Sequence, residues 1–331
     1  MIGLLLAIGL CAQTAPAFKV TAPLVLVPAS VKDAQGHTIE GLNETDFVIL
    51  DNGIERHPSL EFTLAPVSLT LVIEANKRSG AVLRKVQKIG SLIQPLVLGL
   101  HGTAAVVTFA DHVRVWQEFT SRAGVISESL KTIEPQGSGS RMHDALAKAV
   151  DMLIEQPDRR RRKIIIVVSE SKDHASETKL EDLVTRAQAA NIVVYPLTYS
   201  VYASAFTSKG GERFGTNGEG DLVYDSGGIP GFQGIFTELA AASKENSHGV
   251  LAKYTGGEHW QFTKLEGLEQ VIQRVAQDLH SQYLLSFTPP LPTPNEAQFH
   301  RVEVRVKGHP EAVAIRTRPG YWPAGSIPTK N

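Results

Sequence analysis

The sequence predicts an α/β protein: a doubly wound, Rossmann-like, mostly parallel sheet with helices on both faces, joined by a small β-sandwich made from the two ends of the chain. Three observations carry this. Ser68-Leu-Thr-Leu-Val-Ile73 and Lys163-Ile-Ile-Ile-Val-Val168 are near-continuous apolar runs, as strands buried on both faces require. Between residues 67 and 280 such strands alternate with segments of 3.6-residue apolar period, the pattern of crossover units in a parallel sheet. Outside those limits the helical period is lost and alternation of period two takes over, most strictly in Phe299-His-Arg-Val-Glu-Val-Arg-Val306.

The elements follow in order. Met1 to Ala17 reads as a signal peptide: the apolar run Ile2 to Ala12 is too short to span a bilayer, which takes about 20 residues, and Ala15-Pro16-Ala17 supplies small residues for cleavage. Residues 18–66 form an N-terminal β module, with Asp46-Phe-Val-Ile-Leu50 running into the hairpin signal Asp51-Asn-Gly53. Residues 67–280 form the α/β domain. Its first helix carries Val82, Val86, Ile89 and Ile93 on one stripe, and Pro95 is expected to end it. Thr103–Phe109 and Val113–Phe119 read as a hairpin around Asp111-His112. Helices are expected at 123–133, 143–154, 179–190, 235–244, 247–254 and 265–279, and further strands at 191–197 and 259–262. The Gly- and Ser-rich stretch at about 202–233 is an insertion. Residues 281–331 return to β and are expected to pair with the N-terminal module.

Composition narrows the function. Thirty-three Lys and Arg against 34 Asp and Glu give a net charge of -1, so no bulk attraction draws the chain to nucleic acid. Cys11, the single cysteine, lies in the leader, which leaves the mature chain without disulfides or thiolate chemistry and at ease in an oxidising compartment. No transmembrane segment is expected once the leader is removed, and the location is secreted, periplasmic or cell-envelope. Eleven His show neither His-Glu-x-x-His nor His-x-x-x-His spacing, no Gly-x-Ser-x-Gly surrounds Ser169, and no glycine-rich phosphate loop follows the first strand. The basic run Arg159–Lys163 is read as a solvated loop at the opposite edge of the sheet. Trp116, Trp260 and Trp322 are assigned to core or junction, while Tyr199, Tyr202 and Phe206 are weighed evenly between an exposed aromatic rim and packing.

In an open parallel sheet the ligand site lies beyond the carboxyl ends of the strands. Here those ends are Glu74-Ala-Asn-Lys-Arg78, Gly137-Ser-Gly-Ser140 ahead of the helix bearing Asp144, and Ser169-Glu170-Ser171-Lys172-Asp173. This arrangement resembles the von Willebrand factor A fold, whose loops normally supply Asp-x-Ser-x-Ser, a Thr and an Asp to a metal-ion-dependent adhesion site. Leu42–Gly53, Ser281–Pro289 and Arg318-Pro-Gly-Tyr321 look in addition like the von Willebrand A-related proteins of acidobacteria. The resemblance implies that Glu74 takes the first Asp position, Asn76 and Arg78 the two Ser positions, Ser140 the Thr position and Glu170 the last Asp position.

Only Ser140 keeps equivalent chemistry. Mg²⁺ demands near-octahedral oxygen ligation at about 2.1 Å, and Arg78 brings only donors and a fixed charge. The site is therefore expected to be degenerate: no cofactor, with weak Mg²⁺ or Mn²⁺ at Glu74, Asn76, Ser140 and Glu170 as the alternative, and Arg78 or Lys77 paired with Glu74 or Glu170 in place of the ion. The function expected is non-catalytic protein binding or adhesion, with a protein partner and a face of Glu74, Asn76, Lys77, Arg78, Ser140, Asp144, Ser169, Glu170 and Asp173. The competing readings are a hydrolase using Glu74 and Glu170 as paired carboxylates, which cationic neighbours should disfavour by lowering both pKa values, and a purely structural envelope subunit. Among the histidines, Asp173-His174 at the mouth of the site is the one to test.

Overall fold

The computed structural model describes residues 24–61, 65–158, 161–170, 173–199, 246–262, 264, 267–290, 299–312 and 314–322. The leader, the 202–233 insertion and the 235–244 helix of the sequence reading lie outside the described residues.

The centre is a six-stranded sheet in the order β10-β9-β8-β5-β6-β7. Its members are β5 (Val67–Glu74), β6 (Thr103–Phe109), β7 (Val113–Thr120), β8 (Arg162–Ser169), β9 (Ile192–Tyr199) and β10 (Trp260–Phe262). All neighbours are parallel except β6 and β7, which form the expected hairpin with a bulge in its register. From β5 the chain moves outward to β6 and later returns on the other side as β8, so the order of strands switches beside β5.

Alternation sends Leu69, Leu71, Ile73, Ile164, Ile166 and Val168 to one face of this sheet and Val72, Ile165 and Val167 to the other. The first face is covered by α1 (Gly80–Ile93), α2 (Ala123–Lys131) and α6 (Gly267–Ser281). The second is covered by α3 (Met142–Ile154), α4 (Leu180–Ala189) and α5, helical over residues 246–255. Full burial of each branched side chain contributes about 1.5–3 kcal/mol, so these two layers supply most of the driving force. Pro95 does not end the first helical segment cleanly: residues Gln94–Leu98 add one π-helical turn, a wider ladder that accommodates the missing N–H.

Strands from both ends of the chain interleave in two four-stranded antiparallel sheets. One is β13 (Ala314–Thr317), β1 (Val25–Lys32), β11 (Tyr283–Phe287) and β4 (Ser59–Glu61). The other is β14 (Gly320–Tyr321), β12 (His300–Val306), β2 (Phe47–Asp51) and β3 (Ile54–Arg56). Val27, Val31, Phe47, Ile49, Leu285 and Val304 pack between them, with the Phe47 and Tyr283 rings 5.0 Å apart. Asn52 and Gly53 have φ of 50° and 81°, the two left-handed residues that a two-residue hairpin turn needs. The short strands β4 and β14 were not foreseen; each has too few residues to show a period.

Arginines fasten the sandwich to the α/β domain. Arg162, expected in a solvated loop, is buried: it donates to the Leu279 carbonyl at 2.5 Å and to Gln282 Oε1 at 2.9 Å, just ahead of β11. Arg316 donates to the Gly256 and Gly257 carbonyls, both at 2.8 Å, and pairs with Asp278. The basic run thus contributes a structural rivet, because β8 begins under the sandwich rather than at open solvent.

Candidate functional site

The three loops expected at one rim are joined there by hydrogen bonds. Gln136 N–H donates to the Ala75 carbonyl at 2.7 Å and Lys77 N–H to the Gly137 carbonyl at 3.1 Å, which ties the first loop to the second. Glu170 N–H donates to Glu74 Oε2 at 2.6 Å, which ties the first to the third. His174 and Ala175 N–H both donate to the Ser140 carbonyl, at 3.2 and 3.3 Å, closing the ring between the third loop and the second.

Glu74 ends β5 and is 2% exposed, so the sheet fixes where its carboxylate begins and burial dictates that both oxygens find donors. Asn76 Nδ2 donates to Glu74 Oε1 at 2.7 Å and to the Gly139 carbonyl at 3.2 Å. Asn76 Oδ1 in turn accepts the N–H groups of Arg78 and Ser79, at 2.9 and 3.0 Å. Ser79 Oγ turns back onto the carbonyls of Glu74 and Asn76, both at 2.9 Å, and precedes the first residue of α1. Asn76 is the hub of the first loop.

Asp144 and Asp173 organise the third loop. Asp144 accepts the N–H of Thr178 at 2.9 Å and of Glu177 at 3.1 Å, plus Arg141 Nη1 at 3.1 Å. Burial alone would raise its pKa, but these donors outweigh it and hold the carboxyl below its usual range. Asp173 accepts the His143 N–H at 3.1 Å and Ser176 Oγ at 2.6 Å. His174 is exposed and contributes its backbone to the ring described above.

At Glu74 neutral donors stand where a salt bridge to Arg78 or Lys77 was expected, while the Arg78 charge acts on Glu170. Both cations are exposed, and an amide and a backbone N–H reach Glu74. The expectation that both carboxyls would be held down also fails for Glu170, whose pKa is raised: burial and the Glu74 charge outweigh the lowering by Arg78. The physical reason is reach. The methylenes of Glu74 bring its carboxylate onto the loop amides, so the guanidinium is not needed for satisfaction.

As arranged, two of the four residues expected to hold an ion, Glu74 and Asn76, are engaged within the loops. Glu74 has a donor on each oxygen, and the carbonyl oxygen of Asn76 is taken by two N–H groups. Ser140 Oγ and Glu170 Oε2, by contrast, are buried without a hydrogen-bond partner among the described residues. Among the described residues no group of three or more His, Cys, Asp or Glu is placed to hold a metal.

Sequence reasoning missed three contributors. Asp111, on the β6–β7 turn, accepts Gly139 N–H at 2.6 Å and Ser138 N–H at 3.3 Å, and these bonds hold its carboxyl below the ordinary range. A Cβ on Gly137, whose φ is 68°, would lie 2.1 Å from Asp111 Oδ2, which explains the glycine. His248 on α5 brings Nε2 to 2.8 Å from Ser169 Oγ and stacks on His259 with centroids 5.6 Å apart. His259 in turn lies 2.8 Å from Thr198 Oγ1, and burial lowers its pKa to about 4. Nothing in the spacing of residues 169 and 248 signals that contact, since the sheet alone brings them together. Tyr199 is buried against Phe262 at 5.4 Å, which decides its role for packing, while Tyr202 and Phe206 lie outside the described residues.

With this geometry in place, the fold can be set beside known proteins. Residues 83–219 match the family model of the von Willebrand factor type A domain, and the α/β layer is von Willebrand A-like, with a mostly parallel central sheet and additional antiparallel sheets. No curated protein matches the chain. Similar solved structures include an aerotolerance-related membrane protein from Bacteroides fragilis, 14% identical, with 64% of this chain and 98% of that one covered and a TM-score of 0.42. BatB, a conserved hypothetical protein from Bacteroides thetaiotaomicron, is 16% identical over 64% of this chain and 98% of its own, with a TM-score of 0.41. A von Willebrand factor type A protein from Catenulispora acidiphila is 12% identical over 79% of this chain and 52% of its own, with a TM-score of 0.44. No helix among the described residues is long and apolar enough to cross a membrane.

Proposed function

We propose that this chain is an exported, non-catalytic protein-binding protein that uses the loop rim of its von Willebrand A-like domain as the contact face, and that the contact does not depend on a divalent ion. One observation carries the reading: the oxygens of Glu74 and Asn76, which would face a metal, accept from loop N–H and amide groups, while Lys77 and Arg78 remain exposed at the same rim. A carboxylate on the partner is the natural complement, because a guanidinium grips it with two parallel hydrogen bonds where a relative would interpose a cation. The family match supports an interaction module, and the apolar leader Ile2 to Ala12 supports export to the envelope or beyond.

The test is a cross-linking pull-down from envelope extracts with wild-type protein and Arg78→Glu, each with and without a chelator. The expected result is a partner retained by the wild type in chelator and lost by Arg78→Glu. Loss of the wild-type complex in chelator, together with micromolar Mg²⁺ or Mn²⁺ binding by calorimetry that Glu170→Ala abolishes, overturns the proposal. Absence of any partner favours a structural envelope subunit.

A further inference from the structure

On the side of the molecule away from the loop rim, a cavity of about 700 Å³ lies where the sandwich meets the amino-terminal ends of β8 and β9. That volume falls within the roughly 300–1,000 Å³ typical of small-molecule sites. Its wall is largely apolar, with Leu24, Leu26 and Pro28 from the sandwich side and Ile154 from the end of α3. Leu24 and Ile154 are 45% and 48% exposed, large apolar side chains left to solvent at one place.

Arg318 belongs to the same wall and is 3% exposed. Its Nε has no hydrogen-bond partner among the described residues, and Nη1 makes one long bond of 3.3 Å to the Gln188 carbonyl. The other arginines of the wall differ. Arg161 is paired with Asp158 at 3.6 Å, Arg186 with Asp151, and Arg162 is satisfied by Leu279 and Gln282. The wall's carboxylate, Glu61, accepts Ser286 Oγ at 2.6 Å. Burial depresses the Arg318 pKa to about 10, with the Tyr321 hydroxyl as the nearest opposing influence. An ionised group buried without a counter-ion is costly, and a cavity beside it offers room for one.

We propose that this cavity binds an anion with an apolar tail, a free long-chain carboxylate, whose single charge is received by Arg318 and whose chain lies along Leu24, Leu26, Pro28 and Ile154. This site is independent of the loop rim: it uses none of the residues there, and its failure leaves the partner-binding reading untouched.

The experiment is fluorescence titration of the full chain with dansyl-undecanoate, followed by displacement. Palmitate is expected to displace the probe, whereas hexadecanol, with the tail but no charge, and acetate, with the charge but no tail, are each expected to be at least about tenfold weaker. Arg318→Met should weaken binding about 30-fold without lowering the melting temperature of the ligand-free protein, while Arg318→Lys should retain most of the affinity. Ile154→Asp places a negative charge at an exposed position of the wall; it should weaken palmitate and leave the fold intact, so it decides the matter even if Arg318→Met does not fold. Equal displacement by hexadecanol, wild-type affinity in Arg318→Met or Ile154→Asp, or no displacement by palmitate overturns the proposal. So does capture by phosphatidylglycerol vesicles that saturating palmitate fails to compete, because the anion would then be a membrane surface.

Discussion

Asn76→Asp separates a neutral-donor loop from a metal-ready one with a change of almost no volume. The side chain keeps the oxygen that accepts from Arg78 and Ser79 but exchanges the donor that reaches Glu74 at 2.7 Å for a second carboxyl oxygen. Two unit charges at that separation repel by about 6 kcal/mol at an effective dielectric of about 20. Taking up a proton at pH 7 costs a carboxyl of ordinary pKa about 4 kcal/mol. Protonation is the cheaper route, so the introduced group is expected to be neutral in the folded protein and to donate to Glu74 as the amide did. Its folded pKa is then raised above its unfolded value. The penalty sets in above the unfolded pKa of about 4, grows by about 1.4 kcal/mol for each pH unit to about 4 kcal/mol near pH 7, and is complete only above the folded pKa. Urea unfolding of wild type and variant across that range, with and without Mg²⁺, reads it directly. A pH-independent difference, or none, refutes the assigned donor role of Asn76. Large rescue by Mg²⁺ at neutral pH would show that one carboxylate at this position is enough to rebuild the ion site.

Three further outcomes follow from the same geometry. Gly137→Ala should lose about 1–2 kcal/mol from left-handed strain alone, and it should also loosen the second loop by pushing Asp111 off Gly139; thermal melting together with partner binding checks both. Arg316→Leu strands buried Asp278 beside Tyr195 and should cost about 3 kcal/mol, measured by urea unfolding, with wild-type stability as the contrary result. The carboxyls of Asp111 and Asp144 have folded pKa values below their unfolded ones, so their stabilisation is complete above the ordinary carboxylate range and lost as pH falls below about pH 4. Hydrogen exchange at the Gly139 and Thr178 amides should accelerate there, and unchanged protection would contradict the assigned bonds.

Much of the central layer was legible because its signals are local and repeated. The continuous apolar runs at 68–73 and 163–168 became β5 and β8, and the stripe through Val82 and Val86 became the buried face of α1. The Asp51-Asn-Gly53 signal became the β2–β3 hairpin because left-handed backbone is demanded at both central residues. Pro95 misled for a definable reason: a missing N–H is costly only if the ladder keeps its pitch, and here it widens.

The sequence by itself determined the layers: which segments alternate, where glycine must sit, and which residues stand at the carboxyl ends of the strands. Those are consequences of period and backbone freedom, which act within a few residues. Only the tertiary structure decided who meets whom. That Asn76 donates to Glu74, that Asp111 braces the second loop, that His248 reaches Ser169, and that Arg318 Nε is buried without a hydrogen-bond partner among the described residues were decided by the folded arrangement. Such contacts are set by side-chain reach and burial, quantities that spacing along a sequence does not encode.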